Sequence, residues 1–380
     1  MIDRYKAGPR GLIAALFVFL VGSFWAQPAA ALDIIDLSMG YYKDDNRLTV
    51  NTPGLLINKD LTESASLSIK YTYETFEKEA PQNAADAVTG ATTVSGGTGG
   101  GYDETRHEIV AGFAQQFRST LIGLGYFYGD ENDFHSDAYS VALTQFLFET
   151  NLAVTALYGK TFDEIDKLDP PNDDFPKDKD TDTFTIAATQ ILTPRLLISG
   201  GYSLSKVEGF QSLPLRKVNA IQGSIQGIPI GTIYEEKHPD ERTRQTFFLG
   251  LKQYFLSGRA IYLNLSYYMD DWGVHAIAAE PRIQQYLSES VILRLRYRFY
   301  SQTAADFYQP TYSASEVTEE SLKTADVRLR DYDTHTVGIA IRLVGKMIDD
   351  WSVLMSYDRY FETNDGLKAN IYQVTLSIPY

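Results

Sequence analysis

The chain contains no cysteine in its 380 residues. That absence excludes a disulfide framework, a thiolate metal site and covalent attachment of a c-type haem, so any redox chemistry would belong to a partner. Long apolar runs are nearly as scarce. Beyond residue 25 none approaches the ~20 residues that a membrane-spanning helix needs. Positive charge is in deficit, with 34 Lys and Arg against 49 Asp and Glu, a net charge of −15, which excludes a general nucleic-acid binder. The five histidines, His107, His135, His238, His275 and His335, stand in neither a Gly-x-Ser-x-Gly nor a His-Glu-x-x-His setting. The Gly-rich stretch from Ser95 to Gly101 lacks the Lys-Ser or Lys-Thr of a phosphate loop and reads as a flexible tip. Neither a cofactor nor a metal site is expected.

What is present is alternation. From Asn370 to Tyr380 the chain places Tyr372, Val374, Leu376, Ile378 and Tyr380 on one face and Gln373, Thr375 and Ser377 on the other, the period-two pattern of a strand between two solvents. An aromatic final residue on the apolar face is the closing strand of outer-membrane β-barrels. Leu376, Ile378 and Tyr380 are therefore the expected recognition segment for the barrel-assembly machinery. At the other end, Arg4, Lys6 and Arg10 precede an apolar stretch from Gly11 to Trp25, then Pro28 and the small residues Ala29, Ala30 and Ala31. This predicts a cleaved signal peptide over residues 1–31, its apolar part too short for an anchor, and one barrel domain over residues 32–380. Mean hydropathy is −0.21, which rules out a helical membrane protein, and only a closed barrel then bonds every backbone amide inside a bilayer. The expected fold is an all-β, transmembrane, antiparallel up-and-down barrel in the outer membrane of a Gram-negative bacterium.

Loss of the leader removes three basic and one acidic residue, leaving 31 basic against 48 acidic and a net charge of −17. Acidic loops suit divalent cations that bridge to anionic lipopolysaccharide, and simple solubility accounts for them as well. Outer-membrane lipid and lipopolysaccharide are thus expected partners.

Sixteen strands are predicted, at residues 33–43, 46–58, 64–76, 106–117, 119–129, 137–148, 151–161, 182–191, 194–205, 243–256, 259–269, 272–286, 289–301, 333–344, 350–361 and 370–380. Pro53 and Pro281 interrupt the second and twelfth, Pro281 implying a bulge or an early strand end, and fourteen strands is the alternative count. The four long connections, residues 77–105, 162–181, 206–242 and 302–332, each follow an odd-numbered strand. This parity places both termini in the periplasm and the long loops outside. With 26 Tyr and 20 Phe there are enough aromatics for girdles at both interfaces, Tyr126, Tyr128, Tyr267, Tyr268 and Tyr357 being candidates.

Arg294, Arg296 and Arg298 alternate with Leu293, Leu295, Tyr297 and Phe299. An arginine on the lipid face near the midplane would cost ~2–4 kcal/mol, so the three are expected on the inner wall. The same parity adds Lys252, Arg282, Arg342, Glu280 and Asp358. Two readings compete: a charged constriction that selects solutes, or an ion-pair network that braces the wall and helps to plug it. Sixteen strands enclose an aqueous channel unless loops fold in. The isoleucine-rich stretch from Leu213 to Tyr234 predicts a hairpin or a segment tucked into the lumen. By contrast, Asp163 to Asp182, with nine acids, three lysines and three prolines, predicts a solvated, mobile loop without the ligand spacing of an EF-hand. Asp270, Asp271 and His275 share one extracellular turn and could activate water, although Asp-Asp-Trp-Gly is an ordinary tight turn.

The run Arg296-Tyr297-Arg298-Phe299-Tyr300-Ser301-Gln302-Thr303-Ala304-Ala305-Asp306-Phe307-Tyr308, followed by Asp326-Val327-Arg328-Leu329, resembles an uncharacterised family of Gram-negative proteins named only as a domain of unknown function. Pro239-Asp240-Glu241-Arg242 and Tyr268-Met269-Asp270-Asp271-Trp272-Gly273 are similar to the same family, with Met269 and Phe299 departing from its pattern. The resemblance implies an outer-membrane barrel. Genes beside those of the family, for flavin-transferase and thioredoxin-like proteins, further imply a periplasmic redox partner, and no catalytic residue comes with it. Asp306, Tyr308, Asp326 and Arg328 lie in the loop that follows the three arginines, and are expected to fold back over the lumen as a plug that pairs with them. The combined expectation is a non-enzymatic channel, with a sealed scaffolding barrel as the alternative and a hydrolase behind both.

Overall fold

Period-two alternation can bury one face and wet the other only if the sheet has no free edge in the membrane, and the sheet here closes on itself. The computed structural model describes residues 33–78, 102–167, 174–214, 216–225, 228–345, 351–363 and 366–380. The predicted leader and the Ser95 to Gly101 tip lie outside them. The barrel comprises β1 (Ile34–Asp44), β2 (Leu48–Thr62), β3 (Ala65–Lys78), β4 (Tyr102–Phe117), β5 (Thr120–Glu131), β6 (Phe134–Leu147), β7 (Leu152–Ile165), β8 (Lys177–Thr193) and β9 (Leu196–Gly209). Two strands in the next connection, β10 (Lys217–Ile225) and β11 (Ile228–Glu235), stand outside it. The barrel resumes with β12 (Glu241–Phe255), β13 (Arg259–Asp270), β14 (His275–Ser288) and β15 (Val291–Gln302), and after the short β16 (Tyr312–Ser313) it ends with β17 (Tyr332–Val344), β18 (Ser352–Glu362) and β19 (Lys368–Pro379). All sixteen predicted strands are present, each antiparallel to the next, and β1 pairs with β19 to close the ring. Pairs run from Ile34 opposite Pro379 to Asp44 opposite Ala369.

Two expectations need correction. Pro281 neither bulges nor ends its strand: Ala279 opposes Phe299 and Arg282 opposes Arg296, one register on both sides of it. Flanking pairs hold the strand straight, and only the ladder bond that proline cannot make is missing. The acidic stretch from Asp163 to Asp182 is not all loop, because β7 runs to Ile165 and β8 starts at Lys177. Its charges alternate so that opposite signs meet across the pair: Lys179 Nζ lies 2.8 Å from Asp163, and Lys160 lies 2.9 Å from Asp182.

The outer face is apolar, with Leu124, Leu143, Ile186, Leu249, Leu295 and Ile339 all exposed, as a hydrocarbon-facing surface requires. Its upper boundary is drawn in tyrosine. With Tyr73 and Tyr128 a step higher on β3 and β5, each of the eight strands that run toward the long connections carries an outward tyrosine at one level, namely Tyr41, Tyr71, Tyr126, Tyr158, Tyr202, Tyr267, Tyr297 and Tyr357. Seven of these hydroxyls bond to a polar side chain one step higher on the next strand. Tyr71, Tyr267 and Tyr297 meet Nδ1 of His107, His275 and His335 at 2.8, 3.0 and 2.7 Å. Tyr126 and Tyr158 donate to Asp137 and Asp182, Tyr202 to Gln245, and Tyr357 to Asn370. Rings below and polar partners above are what an interface rewards. Of the girdle candidates, Tyr126, Tyr128, Tyr267 and Tyr357 point outward, whereas Tyr268, one residue out of phase, points inward.

This level predicts a depth dependence. Leu295→Arg should destabilise the barrel by about 2–4 kcal/mol, and Tyr297→Arg, at the boundary, by about 0–1 kcal/mol. Denaturant titration of the protein refolded into lipid vesicles measures both, and equal losses would show that Tyr297 does not mark the boundary.

Candidate functional site

Inward residues of adjacent strands form rows across the wall. One row runs Lys252, Tyr262, Arg282, Arg296, Gly338 and Asp358, each opposite the next from β12 to β18. Arg294 and Arg298 flank Arg296 on β15, and Arg342 stands lower on β17. Two ion pairs form: Arg296 to Asp358 at 3.2 Å and Arg282 to Glu280 at 3.2 Å. Glycine is required at 338 for the first, because a Cβ there would sit on the Asp358 carboxylate. Among the described residues Lys252, Arg294, Arg298 and Arg342 enter no ion pair. Aromatic faces stand in for acids instead, with Lys252 4.9 Å and Arg282 5.5 Å from the Tyr262 ring centre, and Arg298 6.0 Å from that of Tyr300. Six cations against two acids is not a neutral brace. Like charges ~4 Å apart repel by about 1 kcal/mol in water and several-fold more near protein. Arg298 and Arg342 are exposed although they point inward, so solvent reaches this wall.

The wall half a turn away is apolar. β5 lies eight strands from β15 in either direction round the ring, and Leu121, Phe127, Ala138, Ala142 and Leu157 from β5, β6 and β7 pack into one cluster. Val110, Ala114 and Phe146 are its half-buried edge. Hydroxyl ladders occupy part of the space between, such as Thr144 to Thr155 at 2.8 Å and Thr183 to Ser205 at 2.8 Å. Nearer the mouth, Arg106 sits among Glu74, Glu108 and Glu131. Carboxylate oxygens of Glu104, Glu131 and Asp133 come within 4.8 Å of one another, a set that could ligate a cation, although Arg106 already pairs with Glu131.

Above the wall the long connections fold together as a cap. The predicted hairpin forms from β10 and β11, and β16 adds to β10 from the loop that follows β15. Val218, Ala220, Tyr312 and Val317 are its apolar core. Buried charges are all matched here. Asp326 accepts the Arg328 amide at 2.9 Å and its Nε at 3.0 Å, and pairs with Arg216. Burial alone would raise Asp326, but Arg328 and Arg216 override it and hold the carboxyl far below the usual range. Glu236 binds His238 at 2.8 Å and accepts from Thr324 at 2.9 Å. Lys323, 1% exposed, donates to the carbonyls of Thr318, Glu319 and Ser321.

The cap docks on the inner rim of the barrel. Inward-facing Gln302 donates to the carbonyls of Arg328 and Arg330 at 2.8 and 2.6 Å, and Arg330 reaches Glu362 on β18. Trp272, Val274, Ala305 and Leu329 pack beneath, with Phe307 and Tyr308 against them. The amide of Asp306 donates to the Trp272 carbonyl at 2.9 Å. Asp306, Tyr308, Asp326 and Arg328 therefore all belong to the cap, but the expected pairing with Arg294, Arg296 and Arg298 is absent: Asp326 spends its charge on Arg216 and Arg328. Arg216 and Glu236 escaped the sequence reading, lying about 110 and 90 residues from Asp326, and His238 was weighed only against catalytic motifs.

Asp270, Asp271 and His275 do not converge. The Asp270 carboxylate is fully buried, receiving Arg242, Tyr268 and the amides of Trp272 and Val274. Asp271 caps the Thr243 amide, and His275 points out to the girdle. The turn is structural. The last strand is also accounted for: Leu376 and Ile378 oppose Leu37 and Ile35, and the Tyr380 amide donates to the Asp33 carbonyl at 3.0 Å.

A family model described as a protein of unknown function, DUF3570, matches residues 171–377, more than half of the chain. No curated protein matches the chain. Among solved structures it is similar to a ferric enterobactin receptor (PfeA) mutant from Pseudomonas aeruginosa, at 11% identity over 89% of this chain and 54% of that one, TM-score 0.46. It is similar also to the outer membrane protein opdK from Pseudomonas aeruginosa, at 6% identity over 91% and 97%, TM-score 0.45. A bacterial polysaccharide outer membrane secretin matches at 8% identity over 92% and 99%, TM-score 0.47. The chain spans about half the length of the ferric enterobactin receptor it matches.

Removing one partner of a buried ion pair costs about 3–5 kcal/mol, so Asp326→Asn should release the cap while leaving the barrel closed. Hydrogen exchange at residues 312–329 measures it. Because the folded Asp326 carboxyl is held low, its contribution is present above the unfolded value of about 3.9 and is lost as pH falls below that. Cap protection in the parent should hold from neutral pH to about 4 and decline only below.

Proposed function

Since the chain belongs to the DUF3570 family, whose function is undescribed, we propose on physical grounds that it is a non-enzymatic channel of the Gram-negative outer membrane, its mouth guarded by the cap. One observation carries this reading: the inner wall holds a surplus of cations, with Arg342 inward and exposed at the level of the apolar belt and Arg298 inward and exposed at its upper edge. Unpaired charge is stable there only in water, so a hydrated passage is implied. A wall built for bracing would have matched its acids to its bases, and the ion-pair reading accounts for Arg282 and Arg296 alone.

The sealed scaffold is the second reading, favoured by the cap crossing the rim from Gln302 to Glu362. The expected partners go with either: outer-membrane lipid and lipopolysaccharide, the barrel-assembly machinery at β19, and a periplasmic redox protein that would supply the chemistry a cysteine-free chain lacks.

Planar bilayers separate the two. The purified protein should give discrete conductance steps, and a sealed barrel gives none. Deleting residues 309–325 should raise conductance or open time if the cap restricts the pore; an unchanged pore removes that role. Neutralising Arg294, Arg296 and Arg298 together should shift the reversal potential toward cation selectivity.

A further inference from the structure

Arg282 and Arg296 face each other directly across β14 and β15. Like charges at opposed positions destabilise a sheet, and most walls place an acid or a neutral residue there. Arg294 adds a third guanidinium two residues along on the same face, and its own cross-strand partners are the small Ala340 and neutral Gln284. Beside Arg296 on β17 stands Gly338, whose side-chain space the Asp358 carboxylate fills, and beside Arg294 stands the small Ala340. Glu280 and Asp358 are the acids of this patch, and each takes one arginine. Even so, the Nε–H of Arg296 is buried and donates no hydrogen bond, whereas the Nε of Arg282 lies 3.2 Å from Glu280. A buried guanidinium donor without an acceptor is costly, and Arg294, two residues along on the same face, enters no ion pair among the described residues.

We propose that Arg282, Arg294 and Arg296 form an oxyanion-binding subsite of the lumen, which takes the carboxylate or phosphate group of a solute. An oxyanion between the facing arginines would accept from their guanidinium groups and offset their repulsion in one step. Guanidinium forks match the geometry of either group and bind it bidentately. Lys252 and Tyr262 continue the row from Arg282, so a solute with a second anionic group has a neighbouring cation to move to. This deepens the channel reading by naming the solute class, but binding can be measured whether or not the barrel conducts.

Isothermal titration of the detergent-solubilised full-length protein with inorganic phosphate, with succinate and with chloride, at constant ionic strength, tests it. Phosphate, succinate or both should bind more tightly than chloride, and which of them does so identifies the group that the site takes. Arg294→Gln breaks no ion pair of the wall and should weaken that binding by roughly 10- to 100-fold, the loss of one charge-assisted contact. Lys70→Gln, an inward cation on β3, should leave it unchanged. Arg282→Gln should abolish binding; if that variant does not fold, Arg294→Gln decides alone. No oxyanion preference over chloride, or full binding by Arg294→Gln, overturns the subsite. Conductance steps with no oxyanion binding would sink the subsite and spare the channel, whereas binding without conductance would do the reverse.

Discussion

A bilayer offers the backbone no hydrogen-bond partner, and this constraint orders everything else in the molecule. Every amide and carbonyl in the belt must be paired within the sheet, so β1 has to meet β19, and the seam is fastened where they end. Asp33 pairs with Lys59, whose ammonium lies 4.9 Å from the Tyr380 ring centre, and accepts the Tyr380 amide. Once the ring is closed, side-chain parity has no freedom left. A residue out of phase by one changes solvent, which is why Tyr267 lies in the girdle and Tyr268, its neighbour, helps to hold Asp270 beneath the cap.

The two regions of charge obey opposite rules. In the cap, Asp326, Glu236, His238, Arg216 and Lys323 are buried, and each has a partner. Removing water from a charge costs several kcal/mol unless a partner replaces it, so a folded loop domain tolerates these groups only as matched sets. In the patch of Lys252, Arg282, Arg294, Arg296, Arg298 and Arg342 the cations outnumber Glu280 and Asp358 three to one. That imbalance is affordable only beside water or beside a bound anion. The contrast in pairing thus separates the packed cap from the wall that faces the lumen without reference to any relative.

Much of this was legible in the sequence because a barrel writes its architecture in period two. The sixteen strands, the parity of the long connections and the inward set of Arg294, Arg296 and Arg298 all follow from alternation alone. Register does not. That Arg282 faces Arg296, and not Gln284, depends on the turn at residues 289–290 and its neighbouring bulge, which alternation leaves open by any even number of residues. The cap was harder still. The loop after β15 could be suspected of folding inward, but its true electrostatic partner, Arg216, comes from a different connection, and no local pattern joins residues so far apart in the chain. Pro281 was misjudged for a related reason: proline costs a ladder bond, and flanking pairs on both sides meet that cost without a bend.

The girdle also locates the arginines in depth. Tyr297 lies between Arg296 and Arg298 on β15, so the outward boundary of hydrocarbon falls between the two on the inward face. Arg298 then stands at the level of the headgroups, and Arg294 and Arg296 just below it, inside the belt, where the low-dielectric wall weakens screening and strengthens the field of each charge. On the channel reading, a solute that passed the cap would meet Arg298 first, still in bulk-like water, and Arg296 next, where the field is stronger. Attraction would then rise along the path for an anion and repulsion for a cation. The cap docks on Gln302, four residues above Arg298, through the carbonyls of Arg328 and Arg330, which puts it at the upper end of that gradient.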